Sequence, residues 1–330
     1  RENLKNMTER LSVDLIEFTP NRNLVNKLAK KSLDLIGDSC WHCHTGVDSF
    51  PLQASVKFNI PLIVYGESIA EHSGKATYLD NPNYSIDYFL KYSSMVTVND
   101  ILDKNISKKE LNLFEWPSKK DLKRTKTTRL HLADFIFWDA ERQSEFVRDY
   151  LGWQEDHVEG TYKKYKSVEC IMPGVHDYSK FLKRGFGRGT DFGSMDARAG
   201  IITIKEAKKL AKKYDPMKPK ILDYYLSITG YEEKDFEKKI KKHRSGKAKN
   251  LPDPKLMKKN NLLSKEEVND SVKDYISKNS EKMIWQKKIN SINNELLFPN
   301  FFETKAQNFT NKKINNQKLL SLSINEKRNL

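Results

Sequence analysis

The stretch Pro61-Leu-Ile-Val-Tyr-Gly66 constrains the fold most. It is a continuous apolar run of strand length, closed by a glycine. An unbroken run, unlike an alternating one, belongs to a strand covered on both faces, and such strands lie in parallel sheets flanked by helices. The preceding segments agree. Ser12-Val-Asp-Leu-Ile-Glu-Phe18 is β-like and ends at Thr19-Pro20. Leu24, Val25, Leu28, Leu33 and Ile36 recur at helical spacing and stop at Gly37. A turn rich in cysteine and histidine follows, and residues 50–58 read as a helix with Leu52, Val56 and Phe58 inward. Strand, helix and strand with short joints predict an α/β fold with a parallel sheet.

Beyond that point, residues 81–118 carry short helical candidates, among them the capping-box pattern Ser107-Lys-Lys-Glu110. Residues 130–138 form a second apolar strand candidate, and 140–151 a helix ending near Gly152. Three helices are expected over 201–245. Thr203-Ile-Lys-Glu206 is a capping box, Asp215-Pro216 a stop, Pro219 a first-turn proline, and Gly230 a C-terminal glycine. The predicted organisation is an α/β domain over 1–200 and its helical C-terminal part over 201–245. A loosely ordered Lys/Asn-rich tail over 246–330 completes it.

Charge excludes less than it first suggests. The 330 residues carry 59 Lys and Arg against 44 Asp and Glu, a net +15 that resembles a nucleic-acid footprint. Residues 201–330 hold 30 of those basic groups and 16 of the acidic ones, leaving 29 against 28 in the first 200. The excess therefore lies on late helices and the tail, where lysine runs solvate helix faces. The tail has few aromatics and no known binding module, so a nucleic-acid partner is not expected. No apolar run reaches membrane-span length. Three cysteines cannot build a disulfide scaffold. A cytoplasmic location is expected.

Four places have residues suited to chemistry. Cys40-Trp-His-Cys43, with the distant Cys170, offers soft ligands for zinc or for three irons of an iron–sulfur cluster. Buried, reduced thiols are the alternative. Thr45-Gly-Val-Asp48-Ser49 faintly mimics a pyrophosphate loop but is one glycine short and follows no strand, so it is set aside. Glu67 follows the apolar strand, where ligands of open α/β sheets bind. The richest stretch runs from Gly174 to Arg198. Its alternate glycines, including Gly185 and Gly187, free the backbone to approach a ligand. Arg184, Arg188 and Arg198 suit phosphate or carboxylate, with Asp191 beside them. His176 and Asp177 offer acid–base groups.

These residues, in order, resemble the N-acetyl sugar amidotransferases, the group that includes the pseudaminic-acid and O-antigen amidotransferases. The matching segments are Asp14-Leu-Ile-Glu-Phe-Thr-Pro-Asn21, Cys40-Trp-His-Cys-His-Thr-Gly46 with Phe50-Pro-Leu-Gln53, and residues 58–67. Further along they are Trp138-Asp139, Gly152-Trp153, Val158-Glu-Gly-Thr-Tyr162, His176-Asp-Tyr178, Gly185-Phe-Gly-Arg188, Thr190-Asp191 and Lys213-Tyr-Asp215. The resemblance spans about residues 1–245 and leaves out the tail.

The resemblance implies a PP-loop ATP-pyrophosphatase fold of the adenine-nucleotide-hydrolase type. It implies Mg2+ and ATP as co-reactants, and a nucleotide-linked or free N-acetyl sugar as substrate. ATP would adenylate the N-acetyl oxygen and ammonia would displace AMP, leaving an acetamidino group in a surface-glycan sugar. A separate glutaminase with a cyclase-like subunit would supply the ammonia. The family's Ser-Gly-Gly-x-Asp-Ser loop would precede Arg1, so the chain reads as an N-terminally truncated member with its first strand and ATP loop missing. On this basis His176, Asp177 and Glu67 are the catalytic candidates. Arg184, Gly185, Gly187, Arg188, Asp191 and Arg198 are the substrate or phosphate contacts, and Cys40, Cys43 and Cys170 the metal ligands. Two alternatives stay open: a related tRNA-thiolating enzyme with a cysteine-bound iron–sulfur cluster, and a non-catalytic remnant.

Overall fold

The computed structural model describes residues 2–66, 86–132, 140–198 and 201–253. The elements, in chain order, are α1 (Glu2–Leu11), α2 (Arg22–Ile36), α3 (Trp41–Phe58), β1 (Leu62–Tyr65), α4 (Ile86–Phe89) and α5 (Val98–Ile101). They continue with α6 (Lys119–Thr125), β2 (Thr128–His131), α7 (Ala140–Leu151), α8 (Pro173–Arg184) and α9 (Arg188–Arg198). The last are α10 (Ile204–Tyr214), α11 (Ile221–Thr229) and α12 (Glu233–Lys242). The described chain is helix-rich with a small parallel sheet, an arrangement compatible with α/β. Glu67, Trp138-Asp139 and the tail beyond 253, including residues 285–302, lie outside the described residues.

Two compact units form. One takes Asn3–Phe18 and Cys43–Trp153; the other takes Thr19–His42 and the chain from Gln154 through the C-terminal helices.

In the first unit β1 pairs with β2 in parallel, with Leu62 opposite Thr128 and Tyr65 opposite His131. The apolar run does become a strand, but it is not buried on both faces. Leu62 and Val64 are 50% and 55% exposed. Phe58, expected inward, is also exposed, whereas Leu52 is buried. The β-like run over 12–18 joins no strand among the described residues. Its Val13, Leu15 and Ile16 are exposed, while Phe18 rests on Phe50 and Phe114 with ring centroids 5.2 and 5.6 Å away. Alternation and β-branching suit a strand, but a strand also needs a neighbour to satisfy its ladder. Ser107 and Glu110 bond reciprocally as expected, yet they close only a turn before a 3-10 segment at Asn112–Phe114.

The cysteine- and histidine-rich segment is not a turn but the first part of α3. The pyrophosphate-like residues Thr45, Asp48 and Ser49 are all buried in that helix. Asp48 accepts hydrogen bonds from Trp116 Nε1 and Arg129 Nη1. Burial pushes the Asp48 carboxyl up, and the Arg129 guanidinium works against that.

Among the described residues of the second unit, the regular elements are all helices. Asn21 caps α2 by accepting from Asn23 and Leu24 N–H. Gly37 ends it in the left-handed region at φ 63°, and a Cβ there would lie 2.9 Å from the His243 ring. Only glycine meets both demands. Thr203 and Glu206 form the expected capping box on α10, and Gly230 caps α11. Pro219 lies two residues ahead of α11 rather than in its first turn. The core joins Ala29 and Leu33 of α2, Val175, Tyr178, Phe181 and Leu182 of α8, Leu222 and Tyr225 of α11, and Phe236 and Ile240 of α12.

Leu33 is fully buried and Leu35, on the same helix, is 37% exposed. Leu33→Ala is expected to lower unfolding stability by about 2–5 kcal/mol, against a few tenths for Leu35→Ala, by urea denaturation. In the other unit Arg129→Ala strands the Asp48 carboxylate without its cation and should cost about 3–5 kcal/mol in the same measurement.

Candidate functional site

Helix α8 sets the site. Pro173 opens it, with its missing N–H in a position that needs none. Gly174 follows because a Cβ would come within 2.8 Å of Pro219. The core-facing stripe of Val175, Tyr178, Phe181 and Leu182 leaves His176 and Asp177 on other faces of the helix.

His176 meets the loop between α2 and α3. Its Nδ1 lies 3.0 Å from Asp38 Oδ1, and the same oxygen accepts the Cys40 backbone N–H at 2.8 Å. One ligand atom each from Asp38, Cys40 and His176 falls within 4.8 Å of the others. Burial opposes the charged imidazolium, but the Asp38 carboxylate and Cys40 outweigh it, so the His176 pKa stands well above its ordinary value. Cys170 keeps an exposed surface, yet its thiol is desolvated enough to be raised, and the nearby Cys40 and Glu169 add to this. Cys43 is exposed on the first turn of α3 and belongs to the other unit.

An iron–sulfur cluster is held by thiolates. The donors that converge among the described residues are a carboxylate, a thiol and an imidazole. That set does not fit a three-cysteine cluster, and no step is derived through one.

Asp177 faces a different neighbour. Arg188 Nε sits 2.7 Å from its Oδ2, and Arg188 Nη1 donates to Ser167 Oγ at 2.6 Å. Burial pushes the Asp177 carboxyl up, and Arg188 holds it back. Both residues line a narrow cleft with Gly160, Gly174, Gly187, Tyr214 and Asp215, whose enclosed space of about 10 Å³ has room for one water-sized molecule.

The glycine-rich stretch has a local explanation. Gly185 is the left-handed cap of α8 at φ 85°, where a Cβ would strike Leu251. Gly187 and Gly189 stand against Asp215; a Cβ on either would come within about 3 Å of its carboxylate, at 3.0 and 2.9 Å. That carboxylate accepts Thr190 N–H at 3.0 Å and the Thr190 hydroxyl at 2.5 Å. A helix N-terminus attracts an anion, and at α9 the anion is the chain's own Asp215. The backbone is therefore not an open phosphate cradle there.

The remaining candidates spread apart. Asp191 pairs with Lys180. Arg198 donates to Ser194 Oγ at 2.5 Å on an exposed face. Arg184 is exposed at the end of α8. Asp38, Ser167 and Asp215 were not singled out from sequence as site residues. Asp196, within the Gly174–Arg198 stretch, is buried and accepts from Tyr162 at 2.6 Å and Lys163 at 2.9 Å. Asp38 after a glycine cap and Asp215 before a proline carry only the signal of helix ends.

Residues 159–288 match the family model described as LPS biosynthesis protein WbpG-like, C-terminal domain. The match supports a WbpG-like lipopolysaccharide-biosynthesis protein. No curated protein matches the chain. The WbpG-like region begins at Glu159, whose carboxylate accepts the N–H groups of Lys220 and Ile221 at the start of α11. It contains α8, α9 and α10 with the whole cleft. Asp38 and Cys40 lie ahead of it.

Asp215 has a raised pKa, from burial first, with its hydrogen bonds to Thr190 and Gly187 opposing. A carboxyl raised by folding binds its proton more tightly in the native state, so protonation adds stability. The stability of the wild type relative to Asp215→Asn should rise as pH falls from neutral toward the ordinary carboxyl value of 3.8 and level off below it. Paired denaturation curves across pH read this directly.

Proposed function

We propose that the chain takes part in lipopolysaccharide sugar biosynthesis as an N-acetyl sugar amidotransferase of the PP-loop type. The observation that carries this reading is the WbpG-like match over residues 159–288, which encloses the Asp177–Arg188 cleft. The residue segments that resemble the amidotransferases supply the finer reaction class.

The chemistry is balanced. ATP transfers AMP to the N-acetyl oxygen with loss of pyrophosphate. Ammonia attacks the activated carbon, the C–O bond breaks, and AMP departs with that oxygen. A proton is lost from nitrogen, and an acetamidino group remains. Adenylation is needed because an amide oxygen is a poor leaving group. Magnesium, a glutaminase and a cyclase-like subunit belong to the same reading, and a nucleotide-linked or free N-acetyl sugar is the substrate.

The chain's own residues divide the work. Asp177, on the cleft wall and fixed by Arg188, is the acceptor that orients an N–H of ammonia and takes up the released proton. Arg188, expected as an anion contact, is the positioning residue for Asp177. Arg184 and Arg198 remain exposed for substrate phosphate or carboxylate. Glu67, outside the described residues, stays a catalytic candidate from sequence alone.

The test uses protein purified from its native source with its partners. Magnesium-ATP, an ammonium salt and a panel of N-acetyl sugars, free and nucleotide-linked, should yield AMP only when the right sugar is present. Mass spectrometry should show one oxygen of that sugar replaced by NH. AMP release that ignores the sugar, or an unchanged sugar across the panel, would overturn the reading. Asp177→Asn should lower kcat by about 10²–10⁴-fold with KM little changed. Arg198→Ala should mainly raise KM, since it removes binding shared by ground and transition states.

A further inference from the structure

The loop between α2 and α3 and the first turn of α8 bring three different donors together. Asp38 gives a carboxylate, Cys40 a thiol and His176 an imidazole, with one ligand atom of each within 4.8 Å of the others. We propose that Asp38, Cys40 and His176 hold a single divalent metal ion of the zinc type. The inference stands apart from the amidotransferase reading, because it concerns only these side chains.

Distance and chemistry both favour it. Zinc takes sulfur at about 2.3 Å and nitrogen or oxygen at about 2.0–2.2 Å in a tetrahedron, which puts neighbouring ligand atoms about 3.3–3.8 Å apart. The present Asp38 to His176 separation is 3.0 Å. The pair therefore needs to open by only a few tenths of an ångström. Mixed sulfur, nitrogen and oxygen donors suit a borderline ion such as zinc and suit neither calcium nor magnesium. Three protein ligands leave a fourth position.

The supporting shell is built for a fixed geometry. Lys183 Nζ donates to Ile36 O at 3.0 Å and ties the end of α2 to α8. Gly37 packs against His243, and Ser39 and Trp41, the neighbours of Cys40, are only 1% and 0% exposed. Ser39 Oγ lies 3.7 Å from Cys40 Sγ. Ligands held by such neighbours lose little freedom when a metal arrives.

Cobalt(II) is the probe. Chelator-treated full chain, titrated with Co2+ under reducing, anaerobic conditions, should take up one ion per chain. A thiolate-to-cobalt charge-transfer band in the near ultraviolet and intense visible d–d bands should appear, and zinc should displace them. Cys40→Ser should abolish the charge-transfer band. Asp38→Asn and His176→Gln should weaken cobalt binding by at least about tenfold. Cys43→Ser should bind as the wild type does, and circular dichroism should show each variant folded. Failure of the folded wild type to bind cobalt would overturn the assignment. So would Cys43→Ser losing the band while Asp38→Asn and His176→Gln keep full affinity, since the ligands would then be cysteines alone. Iron with inorganic sulfide in anaerobically purified protein would overturn it too. None of these readouts involves sugar or ATP, so amidotransferase activity can fail without touching the metal site.

Discussion

The apolar stripe of α8 decides where the polar groups of the second unit can go. Val175, Tyr178, Phe181 and Leu182 enter the core shared by α2, α11 and α12. A helix turns about 100° per residue, so burying 175 and 178 fixes 176 and 177 between them. His176 then faces the α2–α3 loop and Asp177 faces α9. Two polar constellations arise from one amphipathic helix, with a single residue step between them.

The constellations differ in how their charges are met. Asp177 has a bidentate-capable partner in Arg188, which Ser167 braces from a second nitrogen. Asp196 takes both Tyr162 and Lys163, and Asp215 takes the start of α9. Asp196 and Asp215 are thus met by groups of the chain itself, as a buried charge requires, while Asp177 has Arg188 at one oxygen and lines the cleft. Asp38 differs because its oxygen is shared between His176 and the Cys40 amide, beside a thiol. Among the described residues, a carboxylate, a thiol and an imidazole converge here within 4.8 Å of one another.

Local grammar was legible in the sequence where one residue type answers one local need. Gly37 and Gly230 end their helices, and Thr203 with Glu206 starts another. These follow from backbone sterics and unpaired N–H groups, which act within a few residues. The same grammar misled at Gly187 and Gly189. Alternate glycines do mark a close approach, but sequence cannot say whether a ligand or a carboxylate of the chain approaches. Here Asp215 arrives from more than 25 residues on. Residues 61–66 likewise signalled a strand correctly, while their two-sided burial depended on neighbours that a run of apolar letters does not specify. Asp38 and His176, separated by 138 residues, met through tertiary packing alone.

That packing also explains why the α2–α3 loop holds its shape. Lys183 is buried, and burial lowers its pKa while the nearby Asp38 charge raises it. Its ammonium donates to Ile36 O, one of the last carbonyls of α2. A helix C-terminus carries partial negative charge and unpaired carbonyls, so a cation there satisfies both. The next residue, Gly37, turns left-handed and lets the chain double back beneath His243. Within three residues the loop has delivered Asp38 and Cys40 to His176. The position of the thiol and carboxylate is thus set by a helix end, a buried lysine and a glycine.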